Sequence, residues 1–127
     1  MSALVVIHSI IRWFVLAGVL ATIVVGFTSA RAGRPWQGND GLYRITAVVI
    51  DIQVAIGIIL WLGTQAWSTE NAFIAYIHPV AMLGALGVFH AFVGKGRKAG
   101  EPSAHRSMAI GAIIALVLMV LGIPWSR

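Results

Sequence analysis

Four apolar runs, over residues 4–26, 43–63, 72–93 and 108–125, divide the chain. Each is about as long as the roughly 20 residues that a helix needs to cross the hydrocarbon core of a bilayer. The connections differ in character. Residues 28–41 hold Gly33-Arg34-Pro35 and Gly38-Asn39-Asp40-Gly41, and residues 94–107 hold Gly94-Lys95-Gly96-Arg97-Lys98 and Glu101-Pro102, both turn-rich and polar. The middle connection, 64–71, is short and carries Glu70 as its one charge. Short connections make successive helices antiparallel neighbours. The pattern therefore predicts an all-α protein: a single transmembrane domain over 1–127, built as an integral-membrane antiparallel four-helix bundle.

Composition agrees with the pattern. Hydrophobic residues make up 59% and charged residues 10% of the chain, with a mean hydropathy of +0.90, against roughly 25% charged residues in soluble domains. The first run lacks the basic start and small-residue cleavage site of a signal peptide and holds Arg12, so it is expected to belong to the mature bundle. Arg31, Arg34, Arg44, Lys95, Arg97, Lys98 and Arg106 flank the first and third connections, whereas Arg127 stands alone on the other side. The positive-inside rule then predicts a multi-pass membrane protein whose two basic connections face the cytoplasm, with both termini outside. Trp61, Trp67 and Trp125 would form the outer aromatic belt and Trp36 the inner one. The sequence pI of about 10.9 reflects this topology, and no nucleic-acid partner is expected. The absence of cysteine excludes disulfides and thiol catalysis.

Ionisable residues inside the runs carry the chemistry: His8 and Arg12 in the first, Asp51 in the second, His78 in the third. Such groups cost on the order of 2.5–3.5 kcal/mol each to insert, so they normally pair or perform a function. With 1.5 Å of rise per residue, His8 lies ~10 Å and His78 ~7 Å from the midpoint of its span, toward the same face. On the diagonal of a bundle the two imidazoles could hold a planar macrocycle, making His8 and His78 the expected ligands of a haem iron, with haem b as cofactor. Ala81, Met82 and Ala85 share the His78 face and leave room there, which adds Met82 to the expected cofactor lining. Gly84 and Gly87 equally suit close helix packing. Pro79 frees the carbonyl of Ala75 and is expected to kink the helix.

Arg12 and Asp51 lie within ~5 Å of their span centres on neighbouring helices, so they are expected to form a buried ion pair. Alternatively, Asp51, near Gln53, would take a proton coupled to haem or quinone chemistry. His90 and His105, toward the basic side, are a possible second ligand pair, although His78 and His90 are about 120° apart around their helix. No nucleophile with a positioned base, phosphate-cradling loop or dense metal-ligand cluster is present. Stand-alone catalysis is therefore less expected than electron transfer.

The order His8-Ser9-Ile10-Ile11-Arg12-Trp13, Asp51-Ile52-Gln53, Ile77-His78-Pro79, His105-Arg106 and Gly122-Ile123-Pro124-Trp125 resembles a family of small bacterial four-helix membrane proteins labelled cytochrome b-like. It is loosely similar to one half of haem A synthase as well. The resemblance spans nearly the whole chain and bears on His8, Arg12, Gln53, His78 and His105. It departs at Asp51, where the family favours histidine. It implies a membrane cytochrome b-like electron-transfer protein of the bacterial inner (cytoplasmic) membrane, with quinone as a possible partner. The alternative is a cofactor-free or pigment-binding accessory subunit of a respiratory or photosynthetic complex. Either way the bilayer and other membrane subunits, or further copies of the chain, are the expected partners.

Overall fold

A computed structural model describes residues 2–124 as four long helices: α1 (Ser2–Arg31), α2 (Gly41–Gly63), α3 (His78–Ala99) and α4 (Ser103–Gly122). A single 3₁₀ turn, Ala66–Ser68, and a π turn, Phe73–Ile77, lead into α3. No strand occurs among the described residues. All four helices, counting the π turn with α3, are long and apolar enough to cross a membrane. The chain thus has the dimensions of a multi-pass membrane protein. Trp125 and Arg127, expected at the outer face, lie outside the described residues.

The helices outrun their apolar stretches because nothing breaks them until a glycine does. α1 continues past Gly26 to Arg31 and closes in a Schellman turn at Gly33 (φ 70°), with Gly33 N–H donating to Ala30 O and Arg34 N–H to Ser29 O. α3 likewise passes Val93 and stops at Gly100 (φ 67°), whose N–H donates to Gly96 O. Arg31, Arg97 and Lys98 fall in these last turns, where positive charge offsets the negative helix end. At the start of α3, the Pro79 ring would collide with the Ala75 carbonyl in a regular helix, and the wider π turn precedes it. The freed Ala75 carbonyl accepts from Trp61 Nε1 at 2.8 Å.

α4 is the packing centre. It lies against α3 and α1, while α2 packs on α1 and more sparsely on α3. Ala104, Met108, Ala112, Ala115 and Met119 of α4 are buried along its whole length. Small residues make this possible: a Cβ on Gly111 would overlap the inner atoms of the Phe92 side chain, and one on Gly26 would stand 2.7 Å from the His105 carbonyl.

Packing is uneven along the bundle. Val15, Val19, Tyr43, Ile50, Ala85, Phe89 and Val93 fill one half. In the other half no residue of α1 before Val15, of α2 after Ile50 or of α3 before Ala85 is buried. Burial there is confined to Met119 and Gly122 of α4, Ile123 just beyond it, and Ala66 and Ala75 in the turns leading to α3.

Gly111→Ala should destabilise the bundle by about 1–3 kcal/mol through overpacking, whereas Gly41→Ala, with nothing within 4 Å of its new methyl, should leave stability unchanged. Thermal unfolding in detergent compares the two.

Candidate functional site

The half with few buried residues contains His8 and His78. His8, in the second turn of α1, and His78, the first residue of α3, have ring centroids 6.3 Å apart and planes at 89°. His78 Nδ1 lies 2.7 Å from Gly122 O at the end of α4. A carbonyl can only accept, so Nδ1 carries the proton and Nε2 is left with its lone pair. The missing side chain of Gly57 makes room for the His8 ring, since a Cβ there would stand 3.1 Å from His8 Cε1. Met82 turns toward α4, its methyl 3.0 Å from where a Gly122 Cβ would be.

Two further polar groups line this half. Gln53 Nε2 donates to the His8 carbonyl at 2.7 Å, but Gln53 Oε1 is buried with no hydrogen-bond partner among the described residues. Arg12 Nε is buried in the same condition, and the guanidinium carbon lies 5.1 Å from the Trp13 ring centre. An unsatisfied buried polar atom costs about 1–3 kcal/mol. Both atoms lie on neighbouring helices in the same half of the bundle as the His8 and His78 rings.

The expected Arg12–Asp51 pair does not form. Asp51 Oδ1 instead takes His90 Nε2 at 2.7 Å. The reason is azimuth rather than depth: Gln53 faces α1, and Asp51, two residues earlier, points about 200° around the helix from it, toward α3. Both partners of this pair are half exposed, 45% each by side chain, on the outer surface of the α2–α3 groove.

His90 and His105 do not come together as ligands either. His105 is fully buried in the first turns of α4, beneath Trp36 and beside Tyr43. Its Nε2 donates to Pro35 O at 3.2 Å, which leaves Nδ1 to accept from the Tyr43 hydroxyl at 2.6 Å. Trp36 Nε1 donates to Asp40 at 3.1 Å, and Asp40 also pairs with Arg44. This cluster fastens the loop between α1 and α2 onto α4. The sequence carries little signal for it, since His105 precedes the last apolar run, Trp36 lies within the loop between α1 and α2, and Tyr43 opens α2. No group of three or more metal-ligating side chains occurs among the described residues.

In comparisons with known proteins, the chain matches no family model, no curated protein and no solved structure. The functional reading therefore rests on the site alone.

Tyr43→Phe should strand His105 Nδ1 and cost about 1–3 kcal/mol. Denaturant titration in detergent against the wild-type chain measures it.

Proposed function

We propose that the protein is a membrane cytochrome b-like electron-transfer protein, an antiparallel bundle with both termini on the outer face of a bacterial inner membrane, holding one haem b between His8 and His78. The observation that carries this reading is the 6.3 Å separation of the two imidazole centroids. Two imidazoles bound to one metal ion from opposite sides, each through a bond of about 2.0–2.1 Å, have centroids about 6.3 Å apart, whereas a tetrahedral arrangement brings them to about 5 Å. The spacing is compatible with His8 and His78 together holding one haem.

Three further features support it. The Gly122 carbonyl fixes the His78 tautomer that offers Nε2, and a hydrogen bond of this kind both orients a metal-binding imidazole and raises its basicity. His8 and His78 lie in the half of the bundle where α1, α2 and α3 bury no side chain. Buried Arg12 Nε and Gln53 Oε1 lack partners there. Haem supplies one-electron oxidation and reduction. The chain sets the potential through the His78 hydrogen bond and the low dielectric around the rings. A membrane quinone suits the donor side of such a protein.

The other reading is an accessory subunit, cofactor-free or binding a pigment through one histidine. The half-exposed Asp51–His90 pair favours contact with further membrane protein, but it does not account for the facing imidazoles.

The purified protein should show a reduced-minus-oxidised spectrum with a sharp alpha band, lost in both His8→Ala and His78→Ala. An unchanged spectrum in the two variants overturns the ligand assignment, and a colourless wild-type chain purified from haem-replete cells overturns the cytochrome reading. Were the two rings to hold a haem iron with their planes at 89°, a strongly anisotropic low-spin ferric signal would be expected by electron paramagnetic resonance.

A further inference from the structure

Asp51 sits one residue from the middle of α2, at the centre of a span of hydropathy 2.3, and its partner His90 is at matching depth on α3. Half of each side chain nevertheless faces outward. Hydrocarbon cannot solvate a carboxylate and an imidazole, and polar groups at this depth normally face protein or a water-filled cavity. Something other than lipid must cover them.

The helix surface beside the pair is shaped for close approach. Gly87, Ala91 and Gly94 follow one another at i, i+4 and i+7 along α3, flanking His90. A Cβ on Gly87 or Gly94 would meet nothing within 4 Å. Neither glycine is required by packing inside the chain, in contrast to Gly26, Gly111 and Gly122, whose Cβ positions are already crowded. A helix-interior glycine costs roughly 0.5–1 kcal/mol relative to alanine, and small residues spaced four apart are the usual surface by which a transmembrane helix meets another.

We propose that this α2–α3 face is the interface of a two-fold dimer of the chain, in which the Asp51–His90 pairs of the two copies join. The argument for a second copy is charge complementarity. Within one chain the pair uses Asp51 Oδ1 and His90 Nε2, leaving the second carboxylate oxygen and the second ring nitrogen of this half-exposed pair for a partner. A two-fold axis along the membrane normal brings the same two atoms of the other copy to the same depth. The remaining His90 ring nitrogen, Nδ1, of each copy then meets the other copy's second Asp51 carboxyl oxygen, joining four side chains in one closed set of hydrogen bonds. The glycines let the two α3 backbones approach closely enough for it. The proposal is independent of the haem reading, because dimerisation and colour are measured separately.

The chain has no cysteine, so single introduced cysteines report cleanly. In vesicles at low protein density, donor- and acceptor-labelled Ser68→Cys chains should show energy transfer that falls as lipid is added. Association should weaken at least tenfold in Gly87→Leu and in the double variant Asp51→Leu, His90→Leu. Mixing Asp51→Leu chains with His90→Leu chains should restore more transfer than either alone, since one cross-pair remains possible. Ala91→Cys treated with a mild oxidant should give a disulfide-linked dimer, and Val24→Cys on the lipid-facing side of α1 should not. Circular dichroism of each variant separates loss of association from loss of fold. A wild-type chain that stays monomeric at high density overturns the proposal, as does a dimer indifferent to Gly87→Leu and to the double variant. Crosslinking of Ala91→Cys in native membranes to a different protein, and not to itself, overturns the choice of partner.

Discussion

Hydrocarbon offers no hydrogen bonds, and every polar group placed in these four helices answers to that constraint. Thr22 folds its hydroxyl back onto the Gly18 carbonyl. Trp61 takes the carbonyl that Pro79 releases, His78 takes the carbonyl of Gly122, Gln53 takes that of His8, and Asp51 takes His90. Most of these contacts join two different helices, so the polar residues set register and azimuth while apolar contacts supply general adhesion. Where the constraint is left unmet, at Arg12 Nε and Gln53 Oε1, the chain departs from what a purely structural bundle requires.

The two halves of the molecule divide the work accordingly. One half is a packed core closed by the Trp36, Tyr43 and His105 cluster, in which a loop, a helix start and a second helix start are bonded together. It acts as a clamp holding the four helices at one end. The other half is gathered only around α4, and its facing imidazoles are positioned from outside: Gly57 accommodates one ring, and the end of α4 orients the other.

The sequence reveals much of this and misses the rest for specific reasons. Four spans follow from length and hydropathy, because the bilayer sets the length of an apolar run so strictly. The release of the Ala75 carbonyl follows from Pro79, since the collision is local; that Trp61 receives it depends on how two helices meet and is not written in either. Arg12 and Asp51 look like partners because rise per residue gives depth, yet direction around the axis decides, and the 200° between Asp51 and Gln53 sends the acid to His90 instead. His105 reads as a loop residue because it precedes the last apolar run. The helix starts earlier, at Ser103, on polar residues that hydropathy ignores.

The hydrogen bond from His78 to Gly122 has one more consequence. Its acceptor belongs to the main chain, so no particular side chain supplies it, but a Cβ at position 122 would stand 2.6 Å from that of Ala81 and would displace the helix end that carries the carbonyl. The tautomer of His78 is thereby tied to the bareness of a glycine forty-four residues away.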